Sequence, residues 1–253
     1  MLEDIEEITA EAARIALGRC GTDYKRWEKE PGHPVCDIDL MVDNFLREQL
    51  IALDPEAGWL SEETADESDR IERKRVWVVD PIDGTRDYLR GRPGWAVSVA
   101  LVENRAVKYG VLAAPQREEV WTAELGRGAW RNGQRIRCSE RRELSGARVP
   151  ADSLPKVDRD LVMVAKPNSI ALRIAMVAAG EADLLATLRW GREWDIAAAI
   201  LIASEAGASV TGALGQPLTF NSPDAAAFGV LASSPGIHGQ AVERLRERAM
   251  AVV

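Results

Sequence analysis

Val76-Trp77-Val78-Val79-Asp80-Pro81-Ile82-Asp83-Gly84-Thr85 is the stretch on which the reading of this chain turns. Its first four residues form a continuous apolar run rich in β-branched side chains, the pattern of a short strand buried on both faces. Two carboxylates follow at the strand's C-terminal end, three positions apart around a proline-stiffened turn. Gly84-Thr85 can then open a helix whose first N–H groups lack internal partners and point at whatever lies beside them. In an α/β protein the carboxyl ends of strands border the ligand crevice, and carboxylates at this spacing can share a hard cation. Asp80 and Asp83 also suit a simple turn, so the local pattern leaves the structural and the chemical reading open.

Two more acidic elements flank this centre. Ser61-Glu62-Glu63-Thr64 lies upstream, where it can fold back beside the strand or form a solvated loop. Downstream, Glu193-Trp194-Asp195 precedes Ile-Ala-Ala-Ala-Ile-Leu-Ile-Ala, so Asp195 begins a helix, and the ordinary reading of an aspartate there is an N-cap.

The rest of the chain supplies an alternating α/β framework. Leu2, Ile5, Ile8, Ala12 and Ile15 recur at helical spacing over 2–20, as do Ile38, Met41, Val42, Phe45 and Leu46 until about Leu53, with Asp39 and Asp43 off that stripe. Residues 24–34 between these helices read as a polar loop. From Trp95 to Gln134, short apolar runs separated by Glu-Asn, Pro-Gln and Gly-Arg-Gly turn signals read as an antiparallel meander. Residues 139–160 read as a surface connection. Beyond them the pattern alternates: a strand at 161–165, a helix at 169–179, a strand at 183–186, a helix at 195–206, strands near 210 and 228–231, and a final helix after Pro235.

Composition narrows the chemistry. With 253 residues the chain is long enough for a large core, and 32 basic against 40 acidic side chains leave a net charge of −8 that repels nucleic acid polymers and anionic membranes. No apolar run spans a bilayer, and the acidic N-terminus is unlike a signal peptide, so the expectation is a cytoplasmic protein with no membrane and no nucleic-acid partner. Three cysteines without a CxxC pair argue for reduced thiols, and two histidines leave few imidazole bases. Carboxylates are then the groups left to do catalytic work.

Taken together, these elements resemble the inositol-monophosphatase superfamily of magnesium-dependent, lithium-sensitive phosphomonoesterases, which includes the 3′(2′),5′-bisphosphate nucleotidases. Its D-P-[IL]-D-G-[TS] motif is complete at 80–85, its W-D-x-A-A helix start stands at 194–198, its Glu-Glu pair matches Glu62-Glu63, and its P-V-T-x-x-D segment appears as Pro34-Val-Cys-Asp-Ile-Asp39. The resemblance runs from about Lys29 to Leu218.

The resemblance implies an αβαβα sandwich of two subdomains, 1–142 and 143–253, with the site in the crevice between them. It implies that Glu62, Asp80 and the Ile82 carbonyl hold one Mg²⁺ and that Asp80, Asp83 and Asp195 hold a second, with Glu62 or Glu63 able to support a third. Gly84 and Thr85 would offer N–H groups to the phosphate, and the Thr85 hydroxyl, paired with Asp39, would orient the attacking water; Glu62, Thr85 and Asp39 are thus the expected catalytic set. The implied activity is Mg²⁺-dependent, Li⁺-sensitive hydrolysis of small phosphomonoesters such as inositol or sugar phosphates, by a homodimer. 3′-Phosphoadenosine 5′-phosphate is the alternative substrate, and a non-catalytic phosphate- or metal-binding regulator is the alternative of another class.

Departures from the family pattern fall mainly on the substrate wall. Where inositol-selective animal members carry an acidic side chain seven residues before the W-D aspartate, an ungapped count lands on Leu188. Asn168-Ser169 replaces a common Gly-Ser pair, and Cys36 and Ser61 stand where Thr and Gly are usual. Ser169, Leu188, Trp190 and Arg192 are therefore the candidate substrate contacts, with Arg189 and Arg192 as candidates for a second phosphate and Trp190 for stacking on a nucleobase. Two rival readings fail on spacing. A haloacid-dehalogenase-type phosphatase separates its two aspartates by one residue rather than by Pro81 and Ile82, and no G-x-G-x-x-G follows a strand as dinucleotide binding requires.

Overall fold

The computed structural model describes residues 1–22, 25–30, 33–64 and 68–252, with the backbone alone for 26–30, 33–35 and 68. The N-terminal part runs α1 (Leu2–Arg19), a hairpin of β1 (Arg26–Glu30) and β2 (His33–Cys36), α2 (Asp37–Leu53), β3 (Gly58–Ser61), β4 (Arg75–Asp83) and α3 (Thr85–Leu89). The meander follows as β5 (Ala96–Glu103), β6 (Ala106–Ala114), β7 (Glu119–Glu124), β8 (Gly128–Arg131) and β9 (Gln134–Arg135). The remainder is β10 (Arg148–Pro150), β11 (Val162–Val164), α4 (Ile170–Ala178), β12 (Leu184–Arg192), α5 (Glu193–Glu205), β13 (Ser209–Thr211), β14 (Ala226–Ser233) and α6 (Pro235–Met250).

Side-chain alternation along β4 explains the layering. Val76 and Val78 face one side of a seven-stranded sheet, ordered β3-β4-β5-β6-β7-β8-β9, and pack on α4 and α5. Trp77 and Val79 face the other side and pack on α1 and α2 with Ile5, Val42, Leu46 and Leu50. A strand buried on both faces is apolar at consecutive positions, as the sequence pattern predicts. Helix α5 is apolar around its whole circumference because its far side is also covered, by a three-stranded sheet ordered β12-β14-β13 through Leu185, Val230 and Ala232. A further cluster of Leu184, Leu231, Ile237, Ala241 and Leu245 seats α6 on that second sheet, completing five layers, αβαβα. The largest core cluster draws on residues from Leu60 to Ala232, on both sides of the expected division at 142/143. Close approach of α5 to the first sheet requires Gly110, where an added Cβ would lie 2.8 Å from the Ala198 carbonyl oxygen.

The structure departs from the expected elements where local signals are weak. The 24–34 loop contains the hairpin β1–β2, whose charged residues mask the strand pattern. Strand β3 is only four residues long, and β12 extends to Arg192 rather than ending near Ala186. The 139–160 connection includes β10, which pairs in parallel with β11. Helix α5 starts at Glu193, which puts Asp195 at its third position rather than at the N-cap. Among the described residues no helix is long and apolar enough to cross a membrane.

Candidate active site

Strand pairing assembles the acidic residues. β3 runs parallel to β4 with Ser61 opposite Val79, and the Glu62 N–H continues the ladder to the Val79 carbonyl at 3.3 Å, so Glu62 is carried to the level of Asp80. The β4–β5 pairing slips between Asp80↔Ser98 and Asp83↔Ala96. Pro81, which has no N–H to donate, occupies that irregularity. Asp80 accepts the Ile82 N–H at 3.0 Å, tightening the turn. Gly84 follows with φ of +94°, and a Cβ there would stand 2.7 Å from the Gly94 carbonyl oxygen and 2.8 Å from the Ser169 nitrogen, so only glycine fits. Helix α3 is a single turn of five residues, so any anion binding at its start rests on individual N–H groups rather than on a macrodipole.

Asp83 is tied to the opposite layer. It accepts the Ser169 hydroxyl at 2.5 Å, the Ala171 N–H at 2.8 Å and the Ile170 N–H at 3.3 Å, and so caps the start of α4. Asp195 also lines the cleft and accepts the Arg192 N–H at 3.4 Å in the first turn of α5. Behind these, Asp39 accepts both the N–H and the thiol of Cys36 at 2.9 Å. Burial, reinforced by Asp39, pushes the Cys36 thiol up to about 12, which keeps it protonated and donating.

The carboxylates disfavour one another's charge. Asp80 is held well above the ordinary carboxylate range by burial and then by the charges of Glu62, Asp83, Asp195 and Asp39. Burial and Asp83 raise Asp195 to about 7. Burial also raises Asp83, against the hydrogen bonds from Ser169 and Ala171 that pull it down. No lysine or arginine forms an ion pair with Asp80, Asp83 or Asp195 among the described residues. These groups ring a cleft rather than meeting at one point: among the described residues, no three or more His, Cys, Asp or Glu side chains form a ready-made metal cage.

The cleft has a volume of about 430 Å³. Glu62, Asp80, Ile82, Asp83, Gly84, Thr85 and Asp195 line it together with Arg86, Lys166, Asn168, Ile170, Arg173, Thr187 and Arg189. Glu62, Asp80, Ile82, Asp83, Gly84, Thr85 and Asp195, the expected ligands of the two ions and the reacting phosphate, thus reach one cavity, which Glu63 and Arg192 do not line. The four substrate contacts expected from the sequence do not line it. Ser169 is fully buried, with its hydroxyl engaged by Asp83 and the Leu172 N–H. On β12 the residues that face the cleft are Thr187 and Arg189; a bulge between Thr187 and Trp190 in the pairing with β14 sets this register. Leu188 lines a separate apolar cavity against α6, and Trp190 stands 60% exposed with its edge on Phe228. Arg192 donates to the Asp224 carbonyl and covers Trp194. The Thr85 hydroxyl donates to the Ile82 carbonyl at 3.1 Å, so its single proton is directed there rather than to Asp39. The side chain of Lys29 lies outside the described residues.

Sequence reasoning passed over several residues that shape this site. Asp43 is buried and accepts hydrogen bonds from the Ser61 and Thr64 hydroxyls, bracketing the Glu62-Glu63 turn. Its placement four residues after Asp39, off the apolar stripe of α2, was the available signal. Lys166, Arg173 and Thr187 were also passed over, and nothing local distinguishes them from surface residues.

Comparison with known proteins bears on this geometry. The inositol monophosphatase family description matches residues 1–250. The chain is 35% identical over 199 residues to a Thermotoga maritima protein named fructose-1,6-bisphosphatase/inositol-1-monophosphatase, covering 75% of this chain and 76% of that one. It is also 35% identical over 189 residues to a Xylella fastidiosa protein named Nus factor SuhB, covering 69% and 67%. Among solved structures, Thermotoga maritima IMPase superposes with a TM-score of 0.85 at 29% identity, covering 98% of this chain and 97% of that one.

Proposed function

The chain belongs to the inositol monophosphatase family, and we propose that it hydrolyses small phosphate monoesters using divalent cations, with Mg²⁺ as the expected ion, held by Glu62, Asp80, the Ile82 carbonyl, Asp83 and Asp195. The observation that carries this reading is that Asp80, Asp83 and Asp195 are buried or nearly so, raise one another's proton affinity, and line one cleft without a cationic side chain paired to them. Clustered hard oxygen donors without a bridging cationic side chain are what such ions require. When bound, the cations supply Lewis-acid charge for the phosphoryl oxygens and for the attacking and leaving oxygens.

The chain's own groups do the positioning. Gly84 and Thr85 hold backbone N–H groups at the cleft wall for the phosphate, in an orientation fixed by the left-handed backbone of Gly84. The Thr85 hydroxyl oxygen, its proton committed to Ile82, faces the same cavity as an acceptor for the nucleophilic water. Asp39 adds negative charge behind Asp80. Ser169 and the α4 N–H groups fix the rotamer of Asp83, and Asp43 fixes the loop that presents Glu62.

A phosphate-release screen with Mg²⁺ tests the reading, run over inositol phosphates, sugar phosphates, histidinol phosphate and adenosine bisphosphates, with and without chelator. Release that requires the metal, is inhibited by Li⁺ and disappears in Asp83→Asn and Asp195→Asn supports it. Metal-independent release, or full activity in either variant, removes the ligand assignment. The similarity to a protein named Nus factor SuhB favours a second reading, a regulator that binds metal or phosphate without turnover. Thermal stabilisation by Mg²⁺ with no phosphate release from any compound would select it.

A further inference from the structure

Glu193 opens α5 two residues before Asp195, yet it does not line the cleft. It is fully buried, and its carboxylate is directed into the 221–225 loop. Oε2 accepts the Asn221 N–H at 2.6 Å, and Oε1 accepts the Ser222 N–H at 2.9 Å and the Ser222 hydroxyl at 2.5 Å. The Glu193 N–H donates to the Ala225 carbonyl at 2.9 Å, so the residue grips both ends of that loop. A glutamate in the first turn favours a helix from a solvent-exposed position. Burying one is costly unless its oxygens are satisfied, so these three accepted bonds fix the start of α5 against the loop.

Arg70 holds the same loop from another element. It sits in the 3₁₀ turn Ser68–Glu72, on the segment that leads from Glu62-Glu63 back to β4, and is likewise buried. Its Nη1 donates to Asn221 Oδ1 at 2.6 Å and its Nη2 to the Ser222 and Pro223 carbonyls at 3.1 and 3.4 Å, while Asn221 Nδ2 donates to the Arg70 carbonyl at 3.0 Å. A buried guanidinium and a buried carboxylate are thereby joined through Asn221 and Ser222. Asn221 has a left-handed backbone, φ of +58°, which asparagine adopts more readily than most residues. The stem of Arg70 packs on the start of β3, where a Cβ added to Gly58 would stand 3.0 Å from the Arg70 Cβ.

The network therefore links two arms of the acidic site by a route outside the cleft. Glu62 directly follows β3, on which Arg70 packs, and Asp195 lies in the turn of α5 that Glu193 opens. Both carboxylates act on Asp80 with like charge, and donors that repel one another move apart unless their backbones are held. We propose that Arg70, Asn221 and Glu193 are positioning residues, which keep Glu62 and Asp195 at a fixed separation before the ions bind. This rests on the ligand assignment of Glu62 and Asp195 made above. None of the three touches metal or substrate; they act through the two elements that they join.

Asn221→Gly tests this with little else disturbed, because glycine accepts the left-handed backbone and keeps the N–H bonded to Glu193 while the amide link to Arg70 is lost. Binding of Mn²⁺, with the free ion read by electron paramagnetic resonance, reports metal affinity without turnover, and the Mg²⁺ dependence of phosphate release reports it during turnover. Asn221→Gly should weaken both by roughly tenfold, with kcat at saturating Mg²⁺ largely retained. Asn221→Asp, which keeps an acceptor for the guanidinium, should restore most of the affinity. Asp183→Asn, a destabilising change far from the cleft, should leave both titrations unchanged. If Asn221→Gly does not fold, Ser222→Ala, which deletes one bond to Glu193 and keeps the backbone, carries the test with the same signs. A lowered Tm with unaltered Mn²⁺ affinity overturns the proposal and leaves the phosphatase reading standing. A weakening that Asp183→Asn reproduces also overturns it, because lost stability then accounts for the effect. If the native chain neither binds Mn²⁺ nor releases phosphate in Mg²⁺, the ligand assignment falls and this proposal with it.

Discussion

Ser169 donates its hydroxyl proton to Asp83 at 2.5 Å across 86 residues of chain, while accepting the Leu172 N–H at 2.9 Å. One buried hydroxyl therefore caps α4 and fixes a carboxylate of the cleft. Ser169→Ala removes both bonds and should cost about 1–2 kcal/mol of stability. It should also lower phosphatase activity by more than the stability loss explains, because Asp83 loses the bond that favours its charged form. Denaturant unfolding and kcat/KM on the same preparation check this; unchanged activity in a destabilised variant would confine Ser169 to capping.

Asp43 serves the opposite end of the acidic wall through the Ser61 and Thr64 hydroxyls. Asp43→Ala leaves a buried hydroxyl unsatisfied, a loss of about 1–3 kcal/mol, and frees the Glu62-Glu63 turn. The concentration of Mg²⁺ needed for half-maximal activity should rise several-fold. Titration of activity with Mg²⁺ reads this directly, and an unaltered metal requirement would show that the turn holds its place without Asp43.

Asp80 stands under the like charge of four neighbouring carboxylates. Asp80→Asn should make the metal-free protein more stable, because it removes a buried carboxylate repelled by its neighbours, while abolishing turnover. Mg²⁺ should raise the Tm of the native sequence and have little effect on that of the variant. Thermal melts with and without Mg²⁺ decide the point; a less stable variant in chelator would contradict the repulsion.

Asp183 lies far from the cleft and ties β12 to β10. Burial pushes it up, but hydrogen bonds from the Arg148 guanidinium and N–H and from the Ser139 hydroxyl outweigh this and hold it at about 2. A carboxyl that titrates near 3.8 when unfolded and near 2 when folded binds more protons in the unfolded state between those values. Its contribution, about 2 kcal/mol, is complete above pH 4 and disappears as the pH falls towards 2. Asp183→Asn should flatten that segment of the acid-unfolding profile, measured by circular dichroism.

Much of the site is legible because it is written locally. Asp80, Pro81, Ile82, Asp83 and Gly84 occupy consecutive positions, and the apolar run before them implies a buried strand that ends in the cleft. The amphipathic stripes of α1 and α2 and the turn-punctuated meander are likewise visible as periodicities. Where charge dominates composition, as in β1–β2, or where a strand is as short as β3, periodicity is too weak to register. Residue spacing along one element is dictated by covalent geometry, which is why those readings survive folding.

The remaining lining of the cleft depends on relations between elements. A one-residue change of register turns a strand's side chains to the opposite face, so the bulge in β12 decides that Thr187 and Arg189 look into the cleft while Leu188 packs towards α6. Likewise Ser169 becomes a support for Asp83 only because α4 docks its N-terminus against the end of β4. From the sequence alone came the identity of the acidic donors and the layered framework that carries them. Tertiary structure alone decided which cations share their cavity and which side chains hold them in place, because pairing register and helix docking are set by packing between segments distant in the chain.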